Sequence, residues 1–162
     1  KSVDDLPEFE NYAMTNRTYR YFTGEPLYPF GHGLSFTQFS YSNLTMARYA
    51  QLGDTIKVSV EITNVGDYAG AEVTQLYITN TRKDMGTEQP IRSLKAFEKT
   101  FLKSGETKTV HFELSPDKFG FYDSEGSLKI EPGYFKISVG GGQPGYENPS
   151  TEIVSSSLNI HR

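Results

Sequence analysis

Residues 56–67 read Ile-Lys-Val-Ser-Val-Glu-Ile-Thr-Asn-Val-Gly-Asp, and this stretch decides the fold class. Ile56, Val58, Val60 and Ile62 alternate with Lys57, Ser59, Glu61 and Thr63. Successive side chains of a strand point to opposite faces, so the alternation describes a strand with one buried and one wetted face. Asn64-Val65-Gly66-Asp67 supplies the turn residues that end it. Downstream, Ala71 to Thr79 is a second β-rich run, with Val73, Gln75 and Tyr77 on one face and Leu76 and Ile78 on the other. Both of its faces are partly apolar.

The same period continues outward. Leu94, Ala96 and Phe97 mark another strand, and Phe101-Leu102 precedes a turn at Ser104-Gly105. Val110, Phe112 and Leu114 alternate with polar residues, as do Phe135, Ile137 and Val139 after the turn at Pro132-Gly133. Gly140-Gly141-Gly142 ends that strand, residues 143–150 form a loop, and Val154, Ser156, Leu158 and Ile160 suggest a closing strand. Upstream, Phe39, Tyr41 and Leu44 mark the first. About seven strands with recurring turns and no amphipathic helix predict an all-β immunoglobulin- or fibronectin type III-like sandwich over residues 37–162. The core is expected to hold Val58, Val60, Ile62, Val110, Phe112, Leu114, Phe135, Ile137 and Val139. The chain has neither Trp nor Cys, which favours the fibronectin-like form over the antibody-like one.

Composition narrows the function classes. With 162 residues the chain can build one real core. A net charge of −4 gives no electrostatic reason to expect nucleic acid or acidic lipid as a partner. No apolar run is long enough to span a membrane. The absence of cysteine excludes a disulfide framework and thiol catalysis.

Residues 1–36 have a different character. They show no strand or helix period, yet contain Phe9, Tyr12, Tyr19, Tyr21, Phe22, Tyr28, Phe30 and Phe36 among Pro7, Pro26, Pro29 and three glycines. Disordered segments are poor in aromatics, so this irregular extension is expected to pack against something. Two readings follow: it clamps the sandwich to further domains, or it covers one end of the sandwich itself. The clamp is preferred, because so many rings exceed an ordinary exposed patch. Its expected interdomain contacts are Arg17, Tyr19, Arg20, Tyr21, Phe22, Tyr28 and Phe30. Arg17 and Arg20 are suited to pairing with carboxylates across a junction.

Signals for chemistry are weak. His32, His111 and His161 lack partners at metal-ligand spacing, so no metal is expected. No Gly-x-Ser-x-Gly elbow is present. Asp4, Asp5, Glu8 and Glu10 read as a solvated acidic stretch, since nothing there would fix the separation of a catalytic carboxylate pair. The triple glycine lacks the Lys-Ser/Thr and helix of a phosphate loop. Asn16-Arg17-Thr18 and Asn43-Leu44-Thr45 match the glycosylation pattern, and Pro149 disqualifies Asn148. No catalytic or cofactor-binding residue is assigned.

"LPEFENYAMTNRTYRYF" (6–22) and "GEPLYPFGHGLSFTQFSYSNL" (24–44) resemble the stretch that follows the second domain of glycoside hydrolase family 3, the β-glucosidases and β-xylosidases. "NVGDYAGAEVTQLYI", "LKAFEKTFLKSGETKTVHFEL" and "EPGYFKISVGG" extend the resemblance over essentially the whole chain. It implies a linker over 1–36 from an upstream catalytic region and a fibronectin type III-like domain over 37–162. It implies a retaining enzyme whose nucleophilic Asp and acid/base Glu both lie in domains upstream of the matched region, so no catalytic residue transfers to this chain. Further implications are the upstream domains of the same polypeptide as partners, a β-linked glucose or xylose substrate for the parent, and a periplasmic or extracellular location. Self-association into a homo-oligomer is left open. The rival reading is a stand-alone carbohydrate-binding or adhesion module, which aromatic residues on a flat exposed face would favour.

Overall fold

The computed structural model describes residues 8–14, 16–81, 89–123, 125–146 and 151–162. Asp4, Asp5 and the sequence Asn148-Pro149-Ser150 lie outside the described residues. In chain order the strands are β1 (Phe39–Met46), β2 (Tyr49–Gln51), β3 (Ile56–Asn64), β4 (Gly70–Asn80), β5 (Ser93–Leu102), β6 (Thr107–Leu114), β7 (Phe121–Tyr122), β8 (Leu128–Lys129), β9 (Gly133–Gly140) and β10 (Ile153–His161). One sheet has the order β1-β3-β6, the facing sheet β2-β10-β9-β4-β5, and β7-β8 form a small ribbon.

The seven long strands are those expected from the alternation. The two runs read near Leu94 and Phe101 are one strand, β5, on which Phe97 is exposed. The three additions, β2, β7 and β8, are only two or three residues long, too short to display a period. The alternation in residues 56–62 lands as read: Ile56, Val58, Val60 and Ile62 are buried, and Val58 and Val60 lie opposite Phe112 and Val110 of β6. All nine expected core residues are buried. Leu76, Ile78, Phe135, Ile137, Val139, Leu158 and Ile160 come from the facing sheet, so the core lies between the two layers.

Two irregularities interrupt the ladders. Register shifts between Ser42 and Thr45 on β1, where Asn43 adopts φ 51°. The extra residue changes parity, so Phe39 and Tyr41 face the core before the bulge and Leu44 and Met46 after it. The second shift falls on β5. Leu76 lies opposite Ala96 and Tyr77 opposite Leu94, which leaves Lys95 as the extra residue.

Asn64, fully buried at the end of β3, ties the turn to both sheets. Its Oδ1 accepts from Thr37 Oγ1 at 2.6 Å and from the Gly66 N–H at 3.1 Å. Its Nδ2 donates to the carbonyls of Tyr68 and Leu102.

Candidate docking surface

The segment before β1 lies across the outer face of the five-stranded sheet. It contains a single helical turn, α1 (Thr18–Tyr21), where an irregular chain was expected. No apolar period could announce so short a helix; positive φ at Asn16 and Thr18 sets its entry. The turn aims Tyr19 at the sheet. Its ring stacks on Phe30 at 4.1 Å and meets Tyr77 of β4 edge-on at 6.3 Å. Its hydroxyl accepts the Leu94 N–H of β5 at 3.1 Å.

Backbone bonds fasten the strap at several points. The Arg20 carbonyl accepts the Ile91 N–H at 2.7 Å. The Phe30 N–H donates to Gln143 Oε1, and the Gln143 N–H donates back to the Phe30 carbonyl, each at 3.0 Å. The Tyr146 hydroxyl donates to the Gly24 carbonyl at 2.9 Å. Beneath the strap, Tyr77 donates to Gln75 Oε1, and Gln75 Nε2 donates to the Gly141 carbonyl. Burial pushes the Tyr77 phenol well above its ordinary range. Gly31 has φ 79°, a conformation that favours glycine, and a Cβ there would meet the end of the Gln75 side chain.

The seven expected contact residues divide into two groups. Tyr19, Arg20, Tyr21 and Phe22 are half-buried against this chain. Arg17 bonds the Asn11 carbonyl through Nη2, within the strap. Tyr28 is 67% exposed and Phe30 44%. Nearby Leu27, Leu34 and Phe36 are almost bare, at 89%, 87% and 97%. Two open hollows flank the strap. One, of about 330 Å³, lies between Tyr19, Phe22, Tyr28, Phe30 and Gln143. The other, of about 350 Å³, runs from Gly31–Ser35 to Ala71, Glu72 and Val73 on β4.

Glu72 is a carboxylate beside this surface that is held in a hydrogen-bond network. The Tyr41 hydroxyl donates to its Oε1 at 3.1 Å and also approaches Thr74 Oγ1. Burial raises the Glu72 carboxyl, while hydrogen bonds from Tyr41 and Thr151 oppose the rise. The groups that act on Glu72 are a phenol, a hydroxyl and the Val73 N–H, with no second carboxylate among the described residues. Among the described residues no group of three or more His, Asp or Glu is placed to hold a metal ion.

Gln75, Tyr77, Gln143 and Tyr146 escaped sequence reasoning as anchors. A signal existed for two of them: β4 had an apolar inner face already, so Gln75 and Tyr77 on its outer face needed a cover.

A fibronectin type III-like domain model matches residues 72–143. The chain belongs to the C-terminal region of glycoside hydrolase family 3, its fibronectin type III-like domain included. Over 86% of its length this domain chain is 37% identical to xylan 1,4-beta-xylosidase of Xylanibacter ruminicola, covering 16% of that protein. It is 36% identical to the periplasmic beta-glucosidase of Salmonella typhimurium, over 86% of the chain and 20% of the relative. The crystal structure of beta-glucosidase from Listeria innocua superimposes with a TM-score of 0.74 at 30% identity, over 99% of this chain and 20% of that one. The match therefore takes in the strap as well as the sandwich. The fibronectin type III-like chain spans a fifth or less of each of these three proteins.

Proposed function

We propose that this chain is the non-catalytic, domain-bracing part of a retaining β-glycosidase that releases terminal β-linked glucose or xylose. The observation that carries the reading is the strap: one side is fastened to the sandwich by Tyr19, Phe30 and Gln143, and the other presents Leu27, Tyr28, Leu34 and Phe36 to solvent. Large apolar side chains crowded on one segment mark a surface meant to be covered. In this reading residues 1–36 link the catalytic domains to a sandwich over 37–162. Tyr19, Arg20, Tyr21 and Phe22 hold the strap's shape, and Tyr28 and Phe30 with their neighbours touch the catalytic domains. The parent polypeptide acts in the periplasm or outside the cell, in keeping with a periplasmic relative.

The test is a double substitution, Leu34→Ser with Phe36→Ser, made both in this chain and in the full product of its reading frame. The 162-residue chain is expected to keep its melting temperature, because both side chains are already in water. The full polypeptide is expected to melt earlier and to lose activity. An unchanged full polypeptide would sink the bracing role.

Phe97 and Phe101, both exposed on β5, favour a second reading as a carbohydrate-binding module. Retention of this chain on cellulose or xylan affinity gels, abolished by Phe97→Ser, would support it.

A further inference from the structure

The β5 bulge opens a second region with no role so far. Lys95, the extra residue, lines a pocket of about 90 Å³ together with Arg20 of the strap and Lys118 of the short 3-10 turn Pro116–Phe119. Core rings of Phe119 and Phe135 contribute to the lining, and Ser93 adds a hydroxyl. Bulges redirect side chains and recur beside functional sites. Three cations line this one small space. Asp117 pairs with Lys118 at 3.8 Å and offsets a single charge. Arg20 forms no ion pair among the described residues; its guanidinium lies over the Tyr21 ring at 5.7 Å. Its Nε is buried without a hydrogen-bond partner. A buried donor left idle carries a desolvation cost with no return. Burial, then the charges of Arg20 and Lys118, pull the Lys95 ammonium below its ordinary range, with Asp117 opposing.

We propose that this pocket is a carboxylate receptor, filled in the whole polypeptide by an Asp or Glu side chain from outside these 162 residues. The Nε edge of a guanidinium is one arm of the planar fork that matches two carboxylate oxygens, and Lys95 and Lys118 supply point charges to either side. The cavity holds a few waters' worth of volume, which suits a carboxylate on an apolar stem. The receptor stands on the pocket alone. The source of its carboxylate rests on the reading that catalytic domains adjoin the strap, of which Arg20 is part.

Reductive methylation with formaldehyde, read residue by residue by mass spectrometry, tests both parts. In the 162-residue chain, sodium acetate is expected to slow labelling of Lys95 several-fold relative to sodium chloride at equal ionic strength. Labelling of Lys57, exposed on the other sheet, should stay unchanged. The protection should vanish in Arg20→Gln, and in Lys118→Met should the first variant fold poorly. Equal rates in the two salts, or stronger protection by sulfate, would overturn the carboxylate receptor. In the full polypeptide Lys95 should label slowly without acetate, and acetate should add nothing. If acetate still protects there, the occupant is a free acid and the intramolecular source is wrong. Asp84 and Glu88 stand in the sequence just before Gln89, which lines the pocket; if Asp84→Asn with Glu88→Gln speeds Lys95 labelling in the 162-residue chain, an acid of this same chain fills the pocket and the proposal fails. Failure of the bracing role is read separately, by the Leu34 and Phe36 substitutions, which leave the pocket intact.

Discussion

Glu72 shows how one side chain couples the sandwich to pH. Its carboxyl is raised from 4.5, first of all by burial. The folded chain therefore holds its proton at pH values where the unfolded chain has lost it. Stability suffers no penalty from Glu72 below the unfolded value, and falls as pH rises through the folded one. Glu106, Asp117 and Asp123 act in the opposite sense. They are lowered chiefly by the Lys103 N–H, the Ser115 hydroxyl and the Ser127 N–H respectively, and their contributions are lost on acidification. Glu72→Gln keeps an oxygen for the Tyr41 hydroxyl and removes the titration. Denaturant unfolding at a series of pH values should show the variant gaining on the parent as pH rises above 4.5, with the difference closing below it. A constant difference would mean that Glu72 is ionised without penalty. None of this was legible in the sequence, where Glu72 is simply one polar residue in a mixed run. Its partner Tyr41 stands 31 residues away and reaches it only through the packing of two sheets.

At the scale of elements, the long strands were legible and the rest was not, for a physical reason. A strand between a core and water must alternate, so β3, β6 and β9 carry their burial in their spelling. Phe112 on β6 tests that directly. Phe112→Ala is expected to cost about 3 kcal/mol, the lower end for a buried ring, because a groove beside Met46 and Val58 lets water approach it. His111→Ala, one position away on the wetted face, should cost under about 0.5 kcal/mol. Equal losses, read from urea midpoints, would contradict the facing. Three residues of β2 alternate with nothing, and its parallel pairing with β10 joins segments about a hundred positions apart. The strap hid for another reason: its rings are spaced to meet a surface, and no period of its own records where that surface lies.

For the whole molecule, the division of labour predicts a plain kinetic result. The purified 162-residue chain should hydrolyse aryl β-glucosides and aryl β-xylosides no faster than buffer. Two carboxylates would have to be held about 5–9.5 Å apart across a sugar, and Glu72, the carboxylate set in a hollow beside the strap, keeps company with a phenol and hydroxyls instead. Turnover that follows the protein through purification and disappears in Glu72→Gln would reverse the assignment.

The pair of bonds between Phe30 and Gln143 also has a consequence for the order of events during synthesis. The partners are 113 residues apart, and at roughly 5–20 residues per second the ribosome needs about 6–23 s to travel between them. Throughout that interval the strap lacks its Gln143 anchor, although Tyr77 and Leu94, on which Tyr19 rests, are made earlier. If the bracing reading holds, a catalytic domain translated earlier meets Tyr28, Leu34 and Phe36 before the Gln143 anchor has been made.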